Sequence, residues 1–380
     1  MAKGFYLTLM VGPMVPVPVG QDVIDALTSV QVNVSSGARA QSGFQLTFNL
    51  SKNSPLETLF LIAGGALPPI IRVVLVATID GHAEVLIDGM VTRTDLSPGS
   101  GGSASTLTVT GTDLTAIMGW DFFNPIKNLP LPAMPNEVRV LLILAKYAVF
   151  GVIPMVIPSV LIDIPIPTDR IPRQQGSDLE YIQSLAEEVG YVFYIKPGPV
   201  VGTSIAYWGP EIKVGVPQPA LNIDMDAHTN VESLSFNYNG ESAALPIVYV
   251  QNQESKVLFV IPVPPITPLN PPLGIVQPIP KQFPEIRETA KYGPVRAALV
   301  GLAKAAQTAD VVSASGSLDV LRYGRILRAR ELVGVRGAGI SFDGLYYVKS
   351  VTHNIKRGEY KQSFNLTRNG LISTVPRVPV

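Results

Sequence analysis

The chain is 380 residues long, with 29 basic and 29 acidic side chains, no cysteine, 34 prolines, 47% hydrophobic residues and only 15% charged ones. Zero net charge excludes a strongly basic nucleic-acid binder and an acidic tail, and without cysteine there is neither a disulfide scaffold nor a thiolate metal site. A charged fraction well below the roughly 25% of ordinary globular chains predicts a protomer whose surface is largely covered by other protein.

At the amino terminus, MAKGFYLTLMVGPMVPVPV carries one lysine and then an apolar run broken by prolines, so no secretion signal is expected. Val30, Val32 and Val34, then Phe44, Leu46, Phe48 and Leu50, alternate with polar neighbours at the period of half-buried antiparallel strands. Ser54, Pro55 and Glu57 carry the start signals of a helix that Gly64 would end. Strand alternation returns at Leu107 and Val109, and a helix is expected from about Glu137 to Phe150. The best-marked helix starts at Ser177: Ser177 and Glu180 form a capping box, Leu179, Ile182, Leu185, Ala186 and Val189 one apolar stripe, and Gly190 a left-handed cap. Strands follow at Leu234, Phe236 and Tyr238 and at Phe364 and Leu366, with an alanine-rich helix from about Pro294 to Ala309 between them.

Two uncharged stretches need a membrane test. Residues 147–162 are shorter than the roughly 20 needed to span and contain Pro154 and Pro158. Residues 257–280 contain eight prolines, which no helix survives, so an extended, polyproline-like connector is expected there and no stable membrane insertion in either.

An internal repeat organises the chain. Ile87-Asp88-Gly89-Met90 opens a strand, a turn follows at 97–103, and a second strand ends in Leu107-Thr108-Val109-Thr110-Gly111. Near the other end, Phe342-Asp343-Gly344-Leu345 opens a strand, Lys356-Arg357-Gly358 turns it, and Leu366-Thr367-Arg368-Asn369-Gly370 closes it. Chance is a real competitor, because Asp-Gly is a common turn pair. A genuine duplication predicts two related antiparallel β-barrels with helical and proline-rich material inserted between them.

At this point the segment IPRQQGSDLEYIQSLAEEVGYVFYIKPG resembles the helix-then-strand signature of the late control gene D family, the baseplate hub proteins of contractile phage tails and related injection machines. RYGRILRARELVGVRGAGISFDGLYYVKSVTHNIKRGEYKQSFNLTRNG is similar to that family's closing barrel, and LTVTGTDLTAIM to the end of its first barrel. The proline-rich run 257–280 has no counterpart in the resemblance. The resemblance implies a mainly β fold with inserted α, in which two tube-like barrels per chain assemble as a homotrimer of pseudo-sixfold symmetry. It implies a structural hub adapting a sixfold inner tail tube to a threefold spike and initiating tube assembly. The partners implied are the tube or a tube-initiator protein, a separate trimeric spike protein and other baseplate proteins. The location would be a virion tail baseplate or injection particle assembled in the bacterial cytoplasm. The expected units are a first barrel over 1–118, a helical and proline-rich insertion over 119–190, the start of a second barrel over 191–250, a linker and helix over 251–309, and completion of the second barrel over 310–380. A tail-associated cell-wall hydrolase and a glycan-binding tail protein are the competing functions.

The residues favour a protein that is not an enzyme and needs no cofactor. His82, His228 and His353 show no zinc-hydrolase spacing, and there is no nucleophile elbow and no Walker loop, since Ser100-Gly101-Gly102-Ser103 lacks the lysine. Asp224, Asp226 and His228 would share a face only at strand spacing, and otherwise are solvated polar residues. Glu187 and Glu188 point about 100° apart on a helix and make no carboxylate pair. No catalytic, cofactor or metal residue is therefore assigned, sequence-specific nucleic-acid binding is not expected, and the interface residues stay open. Trp120 and Trp208, the two tryptophans, lie in different regions and make a poor sugar platform. Charge is polarised: residues 320–380 hold eleven basic and three acidic side chains, leaving 18 and 26 for residues 1–319. Arg322, Arg325, Arg328 and Arg330 form the cluster expected to meet an acidic surface, either of a sister subunit or of a partner or channel.

Overall fold

In a computed structural model the chain is described except for residues 1–3, 38, 51–69 apart from Leu56 and Phe60, 100–103, 124, 126–129, 132–133, 160–171, 252–257, 263–269, 287–309 apart from Ala297, 300–302 and Ala305, and 376–380. The period-two segments form strands, as expected. The first half of the molecule contains β1 (Phe5–Gly12), β2 (Val17–Pro18), β3 (Leu27–Ser35), β4 (Gly43–Leu50), β5 (Arg72–Ile79), β6 (His82–Ser97) and β7 (Ser105–Asp113). On β4 the side chains of Phe44, Leu46, Phe48 and Leu50 are all buried, which is the expected alternation. A small sheet follows, made of β8 (Val152–Val156), β9 (Val192–Pro197) and β10 (Ser204–Gly209), with β10 between the other two.

The second half starts at β11 (Gln218–Asn222) and β12 (Ser233–Tyr238). Four short strands, β13 (Ile247–Gln251), β14 (Leu258–Pro262), β15 (Gly274–Val276) and β16 (Glu285–Ile286), lie in the central region. The half is completed by β17 (Val312–Asp319), β18 (Leu332–Arg336), β19 (Gly344–Lys356) and β20 (Glu359–Arg368), with β21 (Leu371–Ser373) pairing back onto β15. The proline-rich run is thus not simply a connector. Its ends are strands, where Leu258–Pro262 and Gly274–Val276 have stretches without internal proline that satisfy their backbone groups by pairing.

The two halves are not separate bodies. One 13-stranded, mainly antiparallel sheet runs β12-β17-β20-β19-β3-β4-β7-β6-β5-β1-β2, with β18 beside β19 and β11 beside β18. A single apolar core collects residues from both halves, among them Val30, Val32, Leu46 and Phe48 from the first and Val351, Phe364 and Leu366 from the second. Each such side chain, fully removed from water, contributes about 1.5–3 kcal/mol. Phe5 of β1 packs on Tyr360 of β20 at 5.6 Å between ring centres, so the sheet curls until its far strands meet.

Topology repeats between the halves. Strands β3-β4-β7-β6-β5-β1 have the same sheet order, in the same order along the chain, as β12-β17-β20-β19-β18-β11. Both long hairpins, β6–β7 and β19–β20, carry one bulge, at Thr92 and Lys349. One pair differs: β1–β5 is antiparallel and β11–β18 parallel. Asp88-Gly89 lies within β6 rather than at its start, since that strand begins at His82. Gly89 answers a close approach there, because a Cβ would sit 2.2 Å from the Thr112 carbonyl oxygen.

The helix at Asp178–Val189 has both halves of its capping box and Gly190 at φ 75°. The one at Asn136–Leu144 continues as a 3₁₀ turn over Ala145–Phe150, ended by left-handed Gly151. With Met90, Phe193 and Trp208 these helices build a second core. The expected helix at 54–64 lies outside the described residues except Leu56 and Phe60, which are buried, and most of the one at 294–309 also lies outside them. No helix among the described residues is long and apolar enough to cross a membrane, a statement that does not bear on strands.

Candidate functional site

The seam where β3 meets β19 is the feature that unites the molecule. The two strands pair antiparallel from Ser35 opposite Ser350 to Ser29 opposite Lys356. Across it the Thr352 hydroxyl donates to the Asn33 side-chain oxygen at 3.3 Å. Beyond the β3 end of the seam, Arg330 donates to the Ser35 carbonyl at 3.0 and 2.6 Å and to the Ser42 hydroxyl at 3.3 Å. Its guanidinium also lies 3.8 Å from the centre of the Tyr194 ring, so one side chain ties both halves to the inserted sheet. Arg330 holds this position at φ 69°, a left-handed backbone that costs a non-glycine residue free energy and persists only where its surroundings fix it.

Around this point lies a cleft of about 240 Å³ whose lining includes Ser36, Tyr194, Lys196, Glu211, Arg330 and Tyr347. Burial pulls the Arg330 guanidinium and the Lys196 ammonium below their ordinary values and pushes the Tyr194 and Tyr347 phenols up. Nearby, Asp113 is buried. Its carboxylate accepts from the Ser42 and Thr115 amides at 3.0 Å each and from the Thr115 hydroxyl at 2.5 Å, while burial still pushes it upward. Arg330 donates to carbonyl and hydroxyl oxygens, and none of the three histidines lines the cleft. The arrangement is chemically a clamp.

The sequence-marked residues scatter. Asp224 and Asp226 have φ 51° and 48°, and Asp226–His228 is an exposed 3₁₀ turn, so the strand spacing that could have aligned the three does not exist. Among the described residues no group of histidine and carboxylate side chains could hold a metal ion. His82 is exposed, whereas His353 is buried with its Nδ1 2.7 Å from the Tyr360 hydroxyl. Trp208 is core, and Ser100 to Ser103 lie outside the described residues. Glu187 pairs with Arg39 at 2.6 Å.

The arginine cluster divides in two. Arg322 and Arg325 are exposed, but Arg328 forms a two-pronged pair with Glu84 of the first half at 2.7 and 3.0 Å, and Arg330 is the clamp just described. Arg357 pairs likewise with Asp25 of the first half, and Lys361 with Glu232 just before β12. The basic closing segment therefore meets part of its acidic complement inside the same chain.

Two buried charge sites carry no signal in the sequence. Arg72 donates to both oxygens of Asp88 at 2.7 and 2.6 Å and to the carbonyls of Met14 and Gly202, and Ser204 adds a third bond to Asp88. Arg368 lies 4.5 Å from the Tyr346 ring and donates to the carbonyls of Ser341, Asp343 and Gly370. Both sites brace the fold.

This architecture is shared with tail proteins. The chain is similar to the tail protein of Neisseria meningitidis MC58 over 97% of its own length and 98% of that protein's, at TM-score 0.62 and 13% identity. It is similar to a 43 kDa tail protein of prophage MuSo2 from Shewanella oneidensis over 96% and 99%, at TM-score 0.60 and 14% identity. An Escherichia coli component of the type VI secretion system matches over 93% and 78%, at TM-score 0.52 and 10% identity. No protein-family model and no curated protein matches the sequence. At these identities the likeness establishes a mainly antiparallel β fold with helical insertions, of the kind found in phage tail and secretion-system proteins.

Proposed function

We propose that the chain is a baseplate hub of the late control gene D type, a structural component of a contractile tail or injection machine without an active site. The observation that carries this is the doubled six-strand topology, which gives each chain two quasi-equivalent tube units. Three chains then offer six units to a sixfold inner tube and three equivalent ends to a spike. On this reading the first unit is residues 1–118 and the second joins β11 and β12 to 310–380, a later start than the expected 191 because β9 and β10 pair in the small sheet with β8. The partners are the tube or a tube-initiator protein, a separate trimeric spike protein and neighbouring baseplate proteins, in a virion baseplate or injection particle assembled in the bacterial cytoplasm. Apolar side chains left exposed, such as Tyr6, Val15, Phe122 and Ile340, are what a protomer enclosed on several sides presents.

Light scattering of the purified chain, alone and mixed with the tube and spike proteins of its particle, tests the proposal. A species of three times the monomer mass, with six-lobed rings in negative-stain images, is expected. A chain that stays monomeric in every mixture overturns it.

A further inference from the structure

The repeat leaves one junction unused. Inside the chain, β19 has two partners on one edge: residues 344–347 pair with β18, and past the bulge residues 350–356 pair with β3. Its counterpart β6 uses only the first of these. Residues 82–90 pair with β5, one further bond joins the Val91 amide to the Ile71 carbonyl, and residues 93–97 meet no described strand on that edge. In the second half the counterpart of β3 is β12, which pairs with β17 on one side and with no described strand on the other. Among the described residues, each half thus lacks what the other shows: a bare β6 edge in the first and a bare β12 edge in the second.

We infer that these two edges join between neighbouring copies of this chain, β12 of one copy pairing antiparallel with residues 93–97 of β6 of the next. This deepens the hub assignment and rests on it, since it names the contact that would close the ring. The two bulges fix the register. Placing Thr92 on Lys349 and following the pairings outward sets Leu234, Phe236 and Tyr238 on the positions of Val30, Val32 and Val34, so the core-facing side of β3 is also the more buried side of β12. The pair Asn33 and Thr352 then becomes Asn237 and Asp95, in which the Asn237 amide donates to the carboxylate where Thr352 donates to Asn33. Val32 opposite His353 becomes Phe236 opposite Leu96. Leu96 and Tyr238, 39% and 43% exposed in the single chain, are covered by such a contact.

The edge itself points the same way. A solvent-facing edge strand is normally protected by lysine, proline or a bulge, and Ser-Leu-Ser-Phe-Asn-Tyr over 233–238 has none of these. The contact is head to tail, so it propagates until it closes, and each intermolecular junction copies the intramolecular one. Among the described residues Asp95 is held by its neighbour Arg93, in a pair with both side chains well exposed.

The cysteine-free sequence supplies the test. Directly opposed residues of an antiparallel pair have Cα atoms about 4.5–5.5 Å apart, within disulfide reach. The full-length variant Asp95→Cys/Asn237→Cys, oxidised after assembly, is expected to give interchain disulfides on a non-reducing gel. Neither single variant should do so, nor Asp95→Cys/Ser235→Cys, which is two residues out of register. Thr94→Cys/Tyr238→Cys serves as the second in-register pair where the first fails to fold. An assembled ring, by mass, that yields no interchain disulfide from either in-register pair overturns the strand pairing and leaves the hub intact. Equal cross-linking by the out-of-register pair overturns the register and with it the inference. A chain that never assembles sinks the hub assignment and this contact together.

Discussion

Arg330 of the second half donates to the Ser35 carbonyl of the first at 2.6 Å while its guanidinium lies over Tyr194 of the inserted sheet. Charged hydrogen bonds contribute about 1.5–3 kcal/mol and a desolvated cation on an aromatic face about 2 kcal/mol more. Arg330→Ala should therefore lower the unfolding free energy by about 3 kcal/mol. Arg330→Lys should recover only part of this, because an ammonium cannot fork to two oxygens and stack at once. Urea titrations of both variants check the order; a lysine variant as stable as the parent would show that the charge alone matters.

Much of the local structure was legible in the sequence, and the long-range partners were not. Alternation at Phe44, Leu46 and Phe48 fixes which face of β4 is buried, and Ser177, Glu180 and Gly190 fix a helix at both ends. Period two says nothing about which strand lies alongside, so the pairing of Asn33 with Thr352, 319 residues apart, has no local sign. The duplication was visible but displaced. Matching Asp88-Gly89 to Asp343-Gly344 by letters is off by two residues from the match the bulges impose, which sets Asp88 on Leu345. Arg330 belongs to a charge cluster, yet nothing in that cluster separates a half-buried clamp from exposed Arg322, because the left-handed backbone and the Tyr194 face exist only once three distant segments meet.

The repeat also predicts how the buried ion pair behaves. Arg72 and Asp88 occupy positions that the second half fills with Leu332 and Leu345, which pack with Leu273 and Tyr347. Asp88→Leu alone strands a buried guanidinium and should cost about 3–5 kcal/mol. Arg72→Leu/Asp88→Leu should be no worse than that single change and more stable than the sum of the two singles. Some cost remains, because the Met14 and Gly202 carbonyls lose their donor. A double-mutant cycle by chemical unfolding reads the coupling directly, and strict additivity would contradict it.

The seam should be sensitive to acid. His353 faces Val32 across it, lies 2.7 Å from the Tyr360 hydroxyl and 3.4 Å from the Gln362 amide, and burial brings its pKa down from 6.5 to about 4. The unfolded chain thus binds a proton near pH 6.5 that the folded chain refuses until about pH 4, so this group's share of stability is complete above pH 6.5 and falls steadily between those values. Across the full window that amounts to about 3 kcal/mol. Leu96 occupies the matching position in the first half, which makes His353→Leu the informative variant. It removes the titration and leaves an apolar side chain where the duplicate already has one, at the cost of the Tyr360 hydrogen bond, about 1 kcal/mol. Unfolding free energies at pH 7.5 and 4.5 should therefore differ by about 2–3 kcal/mol less in the variant than in the parent. The same slope in both would mean that acid acts elsewhere in the sheet.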